Sequence, residues 1–275
     1  MSDRKNKAKV ALLGPRGTFS EEAALKFFEE PEFLLAEDIE EIFVSVSKGR
    51  SPHGLVPVEN SIEGAVGMTL EMLLREDVRI YGEIILNVRH LLLAQPGVKL
   101  SEVMEVISHP HALAQCKIFL KGLGVKTRNF SSTAEAARHV AELKSRETAA
   151  IAPRISALIY GLEILKEDIQ DEELNQTRFL VISKKDHTKA GNDKTSLILG
   201  LKDKHGALYQ ALGAFAELGI NLTKIESRPS RKALGDYIFY IDLEGHREEV
   251  GIKHALKELK RQASFMKILG SYPKG

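Results

Sequence analysis

Residues 195–269 carry the pattern that most narrows the folds open to this chain. Thr195 to Asp203 sets Leu197, Leu199 and Leu201 on one side of a strand. Leu208, Ala211, Leu212, Phe215 and Leu218 then recur at helical spacing. Two strand-like runs follow, Leu222 to Ser227 and Asp236 to Glu244. Ile252, Ala255, Leu256 and Leu259 form a second helical stripe, and Phe265 to Leu269 reads as the closing strand. The order βαββαβ predicts a ferredoxin-like unit with both helices on one face of a four-stranded sheet. The other face and the sheet edges are left for pairing.

The stretch before it, Lys184 to Lys194 (KKDHTKAGNDK), is polar, contains Gly191 and has nothing to bury, so it reads as a linker. Upstream, short apolar runs alternate with helical stripes. Strands are expected at Val10–Leu13, Gly54–Val58, Ile84–Leu86, Val103–Ile107, Ala149–Ala152 and Phe179–Ile182. One helix starts near Thr18 or Ser20, with Thr18 and Glu21 as a capping box, and buries Ala24, Phe27 and Phe28. A second carries Val66, Leu70, Leu73 and Leu74, and a third, capped by Ser132 with Glu135, carries Ala136, Val140 and Leu143. That alternation predicts an α/β domain.

Bulk composition excludes several classes. The 275 residues are 43% hydrophobic, enough for real cores, and a net charge of +1 with 28% charged residues leaves no basic stripe for nucleic acid. The basic opening MSDRKNKAKV leads into no long apolar segment, and runs such as Leu91 to Ala94 are far too short to span a bilayer, so no membrane partner is expected. A single cysteine, Cys116, excludes an internal disulfide framework. A cytoplasmic protein is the expectation.

Four motifs could carry chemistry. LLGPRGTFSEEAA is a strand, a glycine turn and a helix start, which fits either a carboxylate site or a plain tight turn. It has no P-loop lysine and no G-x-G-x-x-G. GLVPVENSIEGAVG puts Glu59, Asn60 and Ser61 at the end of a strand, where they could face a crevice or cap the next helix. In ISHPHALAQC, His109 and His111 lack a third metal ligand at suitable spacing. His111 and Gln115 share a helix face there, while Cys116 falls on the apolar stripe of Leu113 and Leu120. Finally, ELNQTRFLVIS leads into a buried strand through Asn175, Gln176, Thr177 and Arg178. Strand alternation points Thr177 and Phe179 one way and Arg178 the other.

Together GPRGTFSEEAA, GLVPVENSIEGAV, SHPHALAQC, SSTAEAA and above all NQTRF resemble the prephenate dehydratase family, over about residues 8–273. GALY (Gly206 to Tyr209) and ESRP (Glu226 to Pro229) resemble the phenylalanine-binding motifs of that family's ACT domain. The resemblance implies an α/β, two-lobed catalytic domain like that of periplasmic binding proteins over 8–184, a linker over 185–194 and an ACT regulatory domain over 195–273. One lobe would comprise about 8–77 with 178–184, the other 78–177.

The implied reaction converts prephenate to phenylpyruvate with loss of CO₂ and water, and aromatisation drives it without metal or cofactor. By the family pattern Thr177 is the donor to the departing hydroxyl, Arg178 balances a carboxylate and Phe179 packs on the ring. Asn60, Ser108 and Gln115 would contact substrate, with Thr18, Ser61 and Thr133 in the same cleft. Gly206, Ala207, Leu208, Glu226, Ser227 and Arg228 would hold L-phenylalanine as effector, in a homodimer or homotetramer. Arogenate dehydratase and a non-catalytic amino-acid sensor are the alternatives. A fused chorismate mutase is not expected, since about eight residues precede the first strand.

Overall fold

The protein is described by a computed structural model that covers residues 7–230 and 237–275; the expected strand start at Asp236 and the opening MSDRKN lie outside the described residues. Contacts divide the chain into two compact units. One comprises the chain up to Ile42, Leu55–Gly67 and Ile84–Phe179, and the other Phe43–Gly54, Met68–Glu83 and Leu180–Gly275. The second unit therefore includes two segments from well before the linker.

The N-terminal elements are β1 (Lys9–Leu13), α1 (Phe19–Phe27), β2 (Glu32–Ala36), α2 (Ile39–Ser47), β3 (His53–Asn60), β4 (Gly64–Ala65), α3 (Gly67–Arg75) and β5 (Arg79–Asn87). There follow β6 (Leu91–Ala94), β7 (Glu105–Ser108), α4 (Pro110–Gln115), α5 (Lys117–Leu123), β8 (Lys126–Asn129), α6 (Thr133–Leu143), β9 (Thr148–Ala152), α7 (Arg154–Tyr160), β10 (Glu163–Lys166) and β11 (Gln176–Ser183). One sheet has the order β2-β1-β3-β11-β5 with β4 on β3, and the second β10-β6-β9-β7-β8. These are the two expected lobes. Because β5 joins the first sheet, the chain crosses after Asn87 rather than near Asp77, and it returns at Gln176. The two crossing segments are bonded to each other, Val88 N–H donating to the Asn175 carbonyl at 2.7 Å.

The second sheet shows why its strands read as they do. Alternate side chains of β6 and β9 enter opposite cores: Leu92, Ala149 and Ile151 pack with Ala112, Cys116 and Leu120 below α4 and α5, while Leu91, Leu93, Ala150 and Ala152 pack with Ala136, Ala137 and Val140 of α6. A strand covered on both faces has no polar side, so β9 is an unbroken apolar run. β8, KTRN, is an edge strand exposed at every residue, and no apolar pattern announces it. Helix α1 departs from expectation: Ala24 is buried, but Phe27 is exposed and Phe28 half-buried, and the helix buries Ser20, Glu21 and Ala23 instead.

The C-terminal part consists of β12 (Asp193–Gly200), α8 (Ala207–Ala216), β13 (Leu222–Pro229), β14 (Tyr237–Glu244), α9 (Val250–Gln262) and β15 (Phe265–Pro273), in the sheet order β13-β14-β12-β15. This is the expected βαββαβ unit. Leu197, Leu199, Ile241 and Leu243 pack with Ala211 and Phe215 of α8 and with Ile252, Ala255, Leu256 and Leu259 of α9.

The sheet's opposite face is not free for a partner. Tyr240 donates to the Leu70 carbonyl at 2.7 Å, and Lys267 Nζ caps the end of α3 on the carbonyls of Leu73, Leu74 and Glu76 at 2.9, 3.2 and 2.6 Å. Lys194 is buried against Glu83 of β5, with Nζ 2.8 and 3.0 Å from the two carboxylate oxygens. The polar linker thus ends earlier than its composition indicates, since Asp193 and Lys194 are both buried. A lysine reads as exposed unless its counter-ion is known, and here that partner lies 111 positions upstream.

Candidate functional site in the two-lobed unit

At the turn after β1, the helix start holds a carboxylate of its own. Glu21, fully buried, accepts from Gly17 N–H at 2.7 Å and from Arg16 Nε at 2.7 Å. Thr18 caps α1 by accepting from Glu21 N–H at 3.2 Å, but the Glu21 side chain does not reach back to Thr18, so only half of the capping box forms. The turn is also clamped from α7: Ser156 Oγ donates to the Gly17 carbonyl and Tyr160 OH to the Arg16 carbonyl, each at 2.6 Å.

The end of β3 supplies Asn60. Its Oδ1 accepts from the backbone N–H groups of Ile62 and Glu63, both at 2.9 Å. Those donors fix which way the amide faces, so Nδ2 must point to Asn175 Oδ1 at 2.8 Å and Thr177 Oγ1 at 2.9 Å, with Gln176 O a longer third contact at 3.2 Å. The next residue, Ser61, staples this loop to the start of β11 by accepting from Gln176 N–H at 3.0 Å.

Helix α4 brings the third group. His109 caps it by accepting from His111 N–H at 3.3 Å. His111 and Gln115 do share a face, and both reach Glu63, His111 Nδ1 at 3.4 Å and Gln115 Nε2 at 3.3 Å. Gln115 Oε1 accepts from Asn175 Nδ2 at 2.9 Å and lies 2.9 Å from His90 Nε2. Cys116 is fully buried in the core, and burial, reinforced by Asp171, pushes its thiol up to about 12, which leaves it no thiolate near neutral pH.

These groups line one cleft of about 560 Å³. Thr18, Asn60, Gln115, Thr133, Asn175 and Thr177 are on its wall, as are His90, His109, His111 and Glu63. No lysine or arginine is among its described lining residues. The caps of α1 and α6, Thr18 and Ser132, both face the cleft; the start of α1 already holds Glu21, which leaves the start of α6 as the helix end that favours an anion there. The other four expected site residues sit off this wall. Ser108 is fully buried with its hydroxyl donating to the Ile151 carbonyl at 2.6 Å, and Phe179 is buried in the sheet. Arg178 is nearly buried with Nη1 3.9 Å from Glu59, and Ser61 is exposed on the loop.

Two groups escaped the sequence reading of the site. Asn175 stood in the quoted cluster but was given no role, and it is the buried centre of the amide network. His90 gave no signal at all, being a lone histidine before an apolar run. It is 3% exposed, and burial lowers its pKa, although the bond to Gln115 opposes that shift. Among the described residues, no group of three or more His, Cys, Asp or Glu could hold a metal ion, and no helix is long and apolar enough to cross a membrane.

In the other unit, Gly206 caps α8 with φ +76, a backbone conformation suited to glycine. Ala207 and Leu208 line a cavity of about 130 Å³ together with Leu201, Lys202, Tyr237 and Phe239. Glu226 and Arg228 pair at 3.4 Å on the edge strand β13, and Ser227 between them is exposed.

Fold and site together define a two-lobed α/β protein with a largely apolar cleft that carries a cluster of amide and hydroxyl side chains, followed in the chain by a ferredoxin-like unit. Residues 10–187 match the family described as prephenate dehydratase, and residues 195–261 the ACT domain. The chain belongs to the prephenate dehydratase family. A bifunctional chorismate mutase/prephenate dehydratase of Aquifex aeolicus is 48% identical over 272 residues, covering 98% of this chain and 74% of that protein. Among solved structures, a prephenate dehydratase in complex with L-Phe from Arthrobacter aurescens is 34% identical, with a TM-score of 0.88 over 97% of this chain and 90% of that one. GqqA, described as a quorum quenching acylase, is 31% identical, with a TM-score of 0.90 over 97% and 98% of the two chains.

Proposed function

We propose that this chain catalyses the decarboxylating dehydration of prephenate to phenylpyruvate, a carbon–oxygen lyase reaction, and that L-phenylalanine regulates it. Catalysis is assigned to residues 8–184 and regulation to 195–273. One observation carries the reading: Thr177 Oγ1 accepts from Asn60 at 2.9 Å on the wall of the cleft and donates to none of the described residues. A hydroxyl has one proton to give, and one that already accepts a hydrogen bond is polarised toward giving it.

The reaction consumes one proton. The ring carboxylate departs as CO₂, its bonding pair enters the ring, and the hydroxyl across the ring takes a proton and departs as water. Thr177 supplies the hydrogen bond to that oxygen. An aliphatic hydroxyl is a weak acid near neutral pH, so its share is that of a positioned donor, about 10²–10⁴-fold. The start of α6, behind its cap Ser132, holds a substrate carboxylate. A ring carboxylate held by dipoles, with no lysine or arginine in the lining to neutralise it, keeps its tendency to leave. Thr18, Gln115 and Thr133 are the contacts favoured by their places on the wall. Ser61, Ser108, Arg178 and Phe179 act from behind it, as supports of the loop and strand.

Acylase activity, the one named for GqqA, would call for a nucleophile beside a base. Thr177 has an amide donor there instead, which favours dehydration. The effector site is assigned to Gly206, Ala207, Leu208, Glu226, Ser227 and Arg228, in a homodimer or homotetramer of a cytoplasmic enzyme. A relative from A. aurescens has been solved in complex with L-Phe, which supports L-phenylalanine as the effector. Arogenate remains the rival substrate.

The test is turnover of prephenate and, separately, arogenate, each with and without L-phenylalanine. Phenylpyruvate formation suppressed by phenylalanine is expected. Activity on arogenate alone would change the substrate, and turnover of neither by a folded, phenylalanine-binding protein would replace catalysis with sensing.

A further inference from the structure

We infer that His90 is a positioning residue of the dehydration site: its Nε2–H fixes the amide of Gln115 and, through Asn175 and Asn60, keeps the Thr177 hydroxyl turned proton-first to the cleft. The inference rests on the reading of Thr177 as donor, but its core is a statement about hydrogen-bond polarity that stands apart from the substrate.

The polarity can be traced from a fixed end. Backbone N–H groups of Ile62 and Glu63 can only donate, so Asn60 Oδ1 faces them and Nδ2 faces Asn175 and Thr177. Asn175 must then present Oδ1 to Asn60, which turns its Nδ2 to Gln115. Gln115 must present Oε1, and the group 2.9 Å away on the same oxygen, His90 Nε2, must carry a proton. Each bond in the series determines the next. The neutral ring is therefore the Nε2–H tautomer with Nδ1 bare, and Nδ1 is buried with no partner among the described residues.

The weak point of this chain is Gln115. It is the last residue of a six-residue helix that breaks at Cys116, it is only half-buried, and its Nε2 rests on the exposed Glu63 at 3.3 Å. Rotating its terminal amide by half a turn would set a donor against Asn175 Nδ2 and release that residue to flip. His90 prevents the flip because its own Nε2–H would face the same donor. The ring is itself pinned. His90 N–H donates to Gln170 Oε1 and the His90 carbonyl accepts from Ile169 N–H, both at 3.0 Å, while Phe19 meets the ring edge-on at 5.7 Å between centroids. A positioning role accounts for a buried histidine whose second nitrogen is left bare.

The decisive comparison is His90→Gln against His90→Leu, assayed with prephenate. Glutamine can place an amide N–H where Nε2–H stands but offers no equivalent of the imidazole base. His90→Gln is expected to retain most of kcat, while His90→Leu loses about 10²-fold in kcat with little change in KM. Full kcat in His90→Leu, or equal loss in the Gln and Leu variants, would overturn the inference; the second result would make Nδ1 the working atom. The ¹⁵N resonances of the His90 ring in the wild-type protein read the tautomer without any turnover. Nε2–H is expected, and Nδ1–H overturns the inference whatever substrate the enzyme takes. If the wild type turns over neither prephenate nor arogenate, the functional proposal falls and the tautomer alone decides this one.

Discussion

Asn60 Nδ2 lies 2.9 Å from Thr177 Oγ1, a bond joining residues 117 positions apart at the ends of two strands in one sheet. It makes Thr177 an acceptor toward the protein and so a donor toward the cleft. Thr177→Val keeps the shape of the side chain and removes the hydroxyl; kcat for phenylpyruvate formation is expected to fall about 10²–10⁴-fold. Thr177→Ser retains the donor and much of the rate. Asn60→Asp retains the acceptor for the Ile62 and Glu63 N–H groups but offers Thr177 a second acceptor, which draws the threonine proton away from substrate. Its kcat is expected to fall and its KM to rise, since the new carboxylate on the wall repels a dicarboxylate substrate, and steady-state kinetics on the three variants decides the matter.

The buried ion pair Lys194–Glu83 should be costly to break from one side only. The two side chains are 8% and 0% exposed, and Glu83 also accepts from Gly275 N–H at 3.1 Å. Removing one partner leaves the other charge buried, so Glu83→Ala is expected to cost about 3–5 kcal/mol. The double variant Glu83→Leu with Lys194→Met removes both charges and should recover much of that loss. Urea midpoints of the three proteins measure it. A double variant as unstable as the single one would mean that the pair is held for shape rather than charge.

Much of this architecture was legible because it depends on local pattern. The stripe of α9 and the apolar run of β9 are set by what each element buries, and they read out directly, whereas of the stripe expected for α8 only Ala211 and Phe215 are buried and Leu218 is exposed past the helix end. The edge strand β8 did not, since an edge strand faced with charge looks like a loop. The site divides in the same way. Thr177, Asn60 and Gln115 belong to recognisable motifs, and the cleft brings them together. Ser108 belongs to one too, but its hydroxyl turned to the Ile151 carbonyl, a partner set by the pairing of β7 with β9. His90 and Glu83 owe their importance to partners distant in sequence, and neither carries a local signature.

Acid should weaken the two-lobed unit through His90. Burial holds its pKa below the ordinary value, so the folded form stays neutral where the unfolded chain, titrating near pH ~6.5, takes up a proton. Its contribution is thus fully present above the unfolded pKa and is lost as pH falls from there toward the lower folded pKa. His109, also lowered by burial, acts in the same direction. Urea midpoints at pH 7.5 and 5.5 are expected to differ less in His90→Gln than in the wild type. An equal difference in the two proteins would remove His90 as the cause.

Gly17 is a point where backbone and packing both exclude a side chain. Its φ of +88 lies where an L-residue is strained, and a Cβ there would stand 2.9 Å from Ser156 Oγ, 3.0 Å from the Tyr160 ring and 3.3 Å from Ser156 Cα. The backbone alone should cost Gly17→Ala about 1–2 kcal/mol. The contact adds to that, because Ser156 Oγ cannot withdraw without giving up its bond to the Gly17 carbonyl. Ser156→Ala removes one of the three obstacles and leaves the other two. The double variant should therefore be more stable than the sum of the single losses predicts, yet still less stable than the wild type. The turn leads directly into Thr18 on the cleft wall, so Gly17→Ala should also raise KM for prephenate. Denaturation midpoints with KM, measured on both single variants and the double, test the two effects together; strict additivity would show that the Ser156 hydroxyl does not oppose the new methyl group.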